Sequence, residues 1–452
     1  MKIALVNHGC SKNLIDSELM LGLLAEKGYE ITLDETKAQI VIVNTCSFIQ
    51  DAEEESVRSI LSLIEAGKKV IVTGCLPQKH KEELKKAIPE IVAMLGTTDF
   101  TKIVEIADKI KSCIKYGDGE GIDNCIIESE FISNIAQKPE YVYPEHIERQ
   151  QITMGASSYI KIADGCNYHC GYCIIPHLRG AYNSRKIENI VKEAQALAKK
   201  GVSEIVLVAQ DTTSYGTDIY GKPMLGTLLE QLNEIDDLSW IRIMYVYPSM
   251  LTNEIMDKIT ALDKVVKYVD IPLQHSHAQV LSAMRRPVLD YEVLINNIRD
   301  KIPDVAIRTA FIVGYPGETE EHFKHLYNFV EKMRFDKMGV FKYSRERNTV
   351  SYDMQDQISE KVKKERHNIL MELQQKISKE INTGLIGKTL PCIIESTNPE
   401  GLVVARSTRD AAEIDGLVYI DTKKPIIPGE IENVLIKSAD EYDLYGESAA
   451  TK

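Results

Sequence analysis

Two periodicities alternate along the first hundred residues. Lys2 to Asn7, Gln39 to Asn44 and Lys69 to Thr73 are short runs rich in Val and Ile, apolar on consecutive positions as buried parallel strands are. Ser17 to Lys27, Asp51 to Ala66 and Gln78 to Ala87 instead repeat apolar residues at helical spacing. Strand and helix in turn predict a doubly wound parallel sheet over residues 1–113. The pattern then weakens: YGDGEGIDNC and KPEYVYPEH are rich in Gly, Asp and Pro, and residues 114–151 read as a linker.

A longer β/α series occupies residues 152–382. Tyr159 to Ala163, Glu204 to Ala209, Ile241 to Val246, Tyr268 to Pro272, Ala306 to Val313 and Lys337 to Phe341 read as six strands, which predicts a partial (β/α)6 barrel. Gln355 to Asn382 is a charged helix whose stripe of Ile358, Val362, Ile369, Leu373, Ile377 and Ile381 is expected to face the barrel. Residues 384–450 are cut by Gly and Pro into β-type runs at Leu390 to Glu395, Gly401 to Arg406, Gly416 to Asp421 and Ile431 to Lys437, the pattern of a small five-stranded barrel.

At 452 residues and 44% hydrophobic, the chain can build more than one core. No apolar run is long enough to span a bilayer, and the opening MKIALVNHGC goes straight into a strand, so a cytoplasmic protein is expected. Nine cysteines without a secretory signal favour metal or redox chemistry over a disulfide framework. The net charge of −13 lacks the basic footprint of a nucleic-acid binder. From Leu385 onward, 7 Lys and Arg face 12 Asp and Glu, so a small barrel of the kind that often binds RNA is here better suited to a basic protein.

The cysteines carry the candidate chemistry. Cys166, Cys170 and Cys173 form a C-x-x-x-C-x-x-C loop directly after the first barrel strand. Three thiolates can hold three irons of a [4Fe-4S] cluster and leave the fourth open. A structural zinc site with His169 or His177 as fourth ligand is the competing reading. Gly165 and Gly171 would let the backbone approach the cluster, and Tyr172 offers a flat face beside it. Cys10, Cys46 and Cys75 each fall just beyond the carboxyl end of an amino-terminal strand, the edge where open α/β sheets bind ligands. They predict a second three-cysteine site, against the plainer reading of buried free thiols.

At the barrel rim, Gln210 and Asp211 follow the second strand, Gln274 and His275 the fourth, and Gly314 to Glu318 the fifth. His275 and His277 read as ordinary polar residues, and Gly387-Lys388-Thr389 lacks the first glycine and the strand of a phosphate loop. Cys113, Cys125 and Cys392 have no partners at ligand spacing.

Over its full length the chain resembles the methylthiotransferases of the radical S-adenosylmethionine (SAM) superfamily, with a radical SAM barrel and a carboxyl-terminal TRAM domain. GCSKNLIDSE around Cys10, NTCSFIQDAEEES around Cys46, KIADGCNYHC, VAQDTTSYG, PLQH and SADEYDLYGES are similar to the RimO branch, which modifies an aspartate of the twelfth small-subunit ribosomal protein. The MiaB branch, which modifies an adenosine of transfer RNA, typically has GQN where this chain has Ala209-Gln210-Asp211. YSRERNTVSYDM departs from the E-G-T-P-A run common in the family at that place.

The resemblance implies two [4Fe-4S] clusters, one on Cys166, Cys170 and Cys173 that splits SAM, and an auxiliary one on Cys10, Cys46 and Cys75 that holds or donates sulfur. A 5'-deoxyadenosyl radical would take hydrogen from the β-carbon of the aspartate, and a second SAM would supply the methyl group. Tyr172, Gln210, Asp211, Gln274 and Gly314 would line the SAM site. An electron donor of flavodoxin or ferredoxin type is implied, with nucleic acid met only through the ribosome and no membrane. Both clusters would have to face one cavity.

Overall fold

The computed structural model describes the chain except residues 48–49, 117–134, 145–146, 153–154, 399–400, 423–426 and 450–452. It separates into two compact units. One comprises residues 1–154 with Asp164–Tyr168 and Ile174–Asn183, and the other Gly155–Ala163, His169–Cys173 and Ser184–Lys452.

In the first unit, β1 (Lys2–Asn7), β2 (Glu30–Ile31), β3 (Ile40–Thr45), β4 (Lys69–Gly74) and β5 (Ala93–Leu95) form a parallel sheet in the order β2-β1-β3-β4-β5. The near-continuous apolar runs have their reason here. Val41, Val43, Val70 and Val72 pack against Ile60 and Leu63 of α2 (Gln50–Glu65) and against Leu76 and Leu84 of α3 (Cys75–Ala87). The alternate positions Ile40, Ile42 and Ile71 are equally buried on the other face, where α1 (Ser11–Glu26) packs. Fully burying each such side chain contributes roughly 1.5–3 kcal/mol. Strand order reverses between β1 and β3, so the crevice beyond their carboxyl ends is a topological switch point.

α1 begins six residues earlier than its apolar spacing predicts, at Ser11. Its first turns are polar, yet Lys12, Asn13, Asp16, Ser17 and Glu18 are buried, because protein rather than water covers that face. α3 likewise starts at Cys75, three residues before the expected Gln78.

The second unit carries the six expected parallel strands: β6 (Ser157–Lys161), β7 (Glu204–Val208), β8 (Trp240–Ile243), β9 (Tyr268–Asp270), β10 (Ala306–Val313) and β11 (Lys337–Lys342). They pair as β8-β7-β6 and β9-β10-β11. The gap between the two sets is spanned by the parallel bridge Ile241 to Val265 and by Val246 N donating to Asp270 O at 2.8 Å.

The helix after the barrel, Glu360–Thr383, starts five residues later than Gln355, where Ser359 Oγ accepts from Val362 N. Its buried stripe is Lys363, Arg366, Leu370, Leu373, Gln374 and Ile377, whereas Ile369 is 37% exposed. The stripe is rotated from the apolar prediction because polar side chains on it have buried partners, such as Gln374 Nε2 donating to Phe335 O at 2.8 Å.

Beyond it, β12 (Thr389–Thr397), β13 (Val403–Ser407), β14 (Val418–Asp421), β15 (Ile431–Ala439) and β16 (Leu444–Ser448) close into a barrel in the order β12-β13-β14-β16-β15. The fifth strand, β16, closes it through a parallel pairing with β14.

Candidate active site

Cys10 immediately precedes α1, Cys46 immediately follows β3, and Cys75 opens α3. Gly74 sits at φ 98°, and a Cβ there would lie 2.4 Å from Asn44 Oδ1 and 2.6 Å from Thr45 O, so only glycine turns the chain into α3 at this place. Two of the three thiols thus stand at helix amino termini, where the unpaired N–H groups favour a thiolate.

Burial pushes the Cys75 thiol up to about 11 against the pull of the Arg179 guanidinium, and the Cys10 and Cys46 thiols raise it further. The influence of Cys10 and Cys46 on Cys75 puts the three sulfurs in one neighbourhood. Crowding also raises the Cys10 thiol, but Lys12, Arg179 and the N–H groups of Asn13 and Lys12 bring it below its usual value. Three soft sulfur donors at a switch point, faced by a cation that favours their thiolate form, suit an iron–sulfur cluster. Among the described residues, no three His, Cys, Asp or Glu side chains are gathered tightly enough to chelate a single ion.

In the first unit, the loop of the second set is held by Cys166 N donating to Gly180 O at 3.1 Å and by Gly165 N donating to Asp164 Oδ1 at 2.9 Å. Gly165, at φ 80°, has the Ala181 carbonyl 2.0 Å from where a Cβ would stand. In the second unit, Gly171 N donates to Met284 O and Gly171 O accepts from Ser351 N, both at 2.8 Å. A Cβ on Gly171 would lie 2.6 Å from the Tyr315 hydroxyl. Both glycines therefore make room for neighbouring protein. Ser351 belongs to the YSRERNTVSYDM run, which clasps the loop. Tyr172 packs with Val280, Met284, Tyr315 and Tyr343, and burial raises its hydroxyl well above the usual range against the pull of Arg286.

At the rim, the Asp211 carboxylate accepts from Thr213 N at 2.8 Å, shaping its own turn beside the half-buried Gln210. Gln274 takes the left-handed conformation at φ 71° while its backbone pairs with Phe311, a strain of about 1–3 kcal/mol that the pairing overcomes. Gly314 N donates to Glu318 Oε2 at 2.8 Å. The Glu318 carboxylate also accepts from Arg366 Nη1 at 2.8 Å and lies 3.8 Å from His275 Nε2.

Comparison with known proteins follows these divisions. The uncharacterized protein family UPF0004 matches residues 2–96, the radical SAM superfamily 160–330 and the TRAM domain 386–448. Ribosomal protein uS12 methylthiotransferase RimO of Rippkaea orientalis is 46% identical over 99% of this chain and 96% of its own length. The RimO of Acaryochloris marina is 45% identical over 98% of each. The chain belongs to the RimO family. Among solved structures, the radical SAM methyltransferase TsrM from Kitasatospora setae, with cobalamin and a [4Fe-4S] cluster bound, aligns with TM-score 0.53 at 16% identity, covering 75% of this chain and 74% of that one. That likeness is one of fold.

Membership of RimO within the radical SAM superfamily brings SAM and a [4Fe-4S] cluster as cofactors. His169 and His177 are exposed, and Cys392 lies buried in the TRAM barrel core. Cys125 and the side chain of Cys113 lie outside the described residues. Two residues beside the amino-terminal cysteines have no counterpart in the motif reading: Asn13 and Arg179, joined to each other by a hydrogen bond. A charged residue in the mostly apolar IIPHLRG run was the available signal.

Proposed function

We propose that this chain is a radical SAM methylthiotransferase that adds a methylthio group to the β-carbon of an aspartate in ribosomal protein uS12. The observation that carries the reading is near full-length likeness to RimO in a chain with two separate three-cysteine sets. Bound to a [4Fe-4S] cluster, SAM supplies a one-electron route to an unactivated C–H bond, which no side-chain base can open.

In this reading Cys166, Cys170 and Cys173 ligate the SAM cluster, and Cys10, Cys46 and Cys75 an auxiliary [4Fe-4S] cluster that holds or donates sulfur. Residues 1–113 form the auxiliary-site domain, 114–151 the linker, 152–382 the reaction core and 384–450 the TRAM domain. Tyr172 and Gln274 would orient SAM, with Gly314, whose lack of a side chain admits Lys363, shaping the turn beside it. Asp211 would act by fixing the turn that presents Gln210. The acidic TRAM segment suits a basic ribosomal protein, a flavodoxin or ferredoxin would deliver the electron, and the reaction would run in the cytoplasm.

The test is anaerobic reconstitution followed by incubation with SAM, a reductant and either small ribosomal subunits or transfer RNA. A mass gain of one methylthio group on the uS12 aspartate is the expected result. Gain on RNA alone, or a colourless protein that releases no 5'-deoxyadenosine, overturns the reading.

A further inference from the structure

Arg179 is 2% exposed and ends a short helix, Ile175–Arg179, six residues after Cys173. Its Nη1 donates to Asp16 Oδ2 at 2.9 Å and to Asp164 Oδ2 at 2.8 Å, and its Nη2 donates to Asn13 Oδ1. Asn13 and Asp16 lie in the first turns of α1, just after Cys10, while Asp164 stands two residues before Cys166.

Two carboxylates would suffice for a structural ion pair. The Asn13 bond goes further, because the same Oδ1 accepts from the free Cys10 thiol at 3.8 Å and the Asn13 N–H faces the Cys10 sulfur, a bond that a ligating thiolate can accept. Asn13 Nδ2 in turn donates to Thr45 O at 2.9 Å, the carbonyl directly before Cys46. On its other side, Cys75 packs in one apolar cluster with Ile174 and Leu178, the neighbour of Arg179. One guanidinium therefore reaches, through Asn13, the segments that carry Cys10 and Cys46, while its charge faces the Cys75 sulfur. Outer residues that orient ligands in this way commonly weaken metal binding by 10–100-fold when removed.

We propose that Arg179 is a positioning residue for the amino-terminal cluster: its planar fork fixes Asn13, and through it Cys10, while anchoring that site to the start of the Cys166 loop. The proposal rests on the reading of Cys10, Cys46 and Cys75 as cluster ligands. Arginine suits the task because its donors are rigidly spaced, and lysine supplies the charge without the fork.

The test uses the full chain carrying Cys166→Ala, Cys170→Ala and Cys173→Ala, so that only the amino-terminal site can take iron. With Arg179 in place it should bind about four irons. Arg179→Met should speed iron loss to a ferrous chelator about tenfold and shift the g-values of the reduced cluster. Arg179→Lys should keep the melting temperature and still show the faster loss. Should the methionine variant fail to fold, Asp16→Asn frees one side of the guanidinium and is expected to act in the same direction. Loss rates and g-values unchanged in the lysine variant and in Asp16→Asn overturn the proposal alone. A background protein that takes up no iron overturns the ligand reading, and the proposal with it.

Discussion

Arg406 of the TRAM barrel and Glu204, the first residue of β7, form an ion pair in which neither side chain is exposed. The same carboxylate accepts from Arg242 Nε at 2.8 Å and from Ser157 Oγ at 2.7 Å, so two cations converge on one anion. Burial raises the Glu204 carboxyl, but Arg406 and Arg242 overcome it and leave it at about 2. Glu204→Gln keeps the shape and removes the buried charge that two guanidiniums share, leaving Arg406 with Glu395 and Arg242 with the Thr408 carbonyl. It should cost roughly 3 kcal/mol, read as a lower urea midpoint at pH 7.

The same pair sets a pH dependence. The folded carboxyl lies below its unfolded value near 4.5, so its stabilisation is fully present above that value and is lost as pH falls toward about 2. The stability difference between the native chain and Glu204→Gln should therefore be flat from pH 7 to 5 and shrink by pH 3. A difference that persists unchanged at pH 3 would contradict the assignment.

The cysteine sets should separate by function. Cys75→Ala should lower bound iron from about eight to about four per chain. It should leave reductive SAM cleavage in place and abolish methylthio transfer. Cys170→Ala should also halve the iron, but SAM cleavage should vanish. Iron analysis with 5'-deoxyadenosine release distinguishes them, and equal loss of cleavage in both variants would count against two independent sites.

Gly171 offers a steric test. A methyl group there meets the Tyr315 hydroxyl at 2.6 Å and the Ala283 carbonyl at 3.1 Å, and the hydroxyl itself donates to that carbonyl at 3.0 Å. Gly171→Ala should displace the loop at a cost of about 1–3 kcal/mol and weaken the SAM cluster. Adding Tyr315→Phe removes the nearer contact and should recover part of the bound iron. A double variant no better than the single one would place the strain elsewhere.

Particular residues explain what was legible in the sequence. The runs IVIVNT and KVIVTG announce buried strands because both of their faces are covered, and strand ends carry the cysteines, so the placement of Cys10, Cys46 and Cys75 at one edge of the sheet could be read from one dimension. α1 hid its start because Asn13 and Asp16 face polar partners inside the protein, and periodicity counts such positions as solvent. Lys363 and Arg366 misled the stripe of the long helix for the same reason, each having a buried partner. β16 escaped because Tyr445, Glu447 and Ser448 make it read as a polar tail, and only its pairing with β14 makes it a strand.

His275 supplies the last prediction. Its side chain is fully buried, its Nδ1 accepts from His277 N at 2.9 Å, and Glu318 lies 3.8 Å from its Nε2. Burial lowers it to about 3, and His277, His322, His325 and Arg366 push in the same direction. An imidazole depressed below its ordinary 6.5 stabilises the fold fully above that value, and this contribution falls as pH drops toward 3. His275→Asn, which carries no proton, should therefore flatten the loss of stability between pH 6.5 and 4 relative to the native chain. At pH 8 it should still cost about 1–3 kcal/mol through the buried hydrogen bond it weakens. Urea midpoints at pH 8, 6 and 4 test both halves, and a variant with the native slope would mean that His275 is charged in the folded protein.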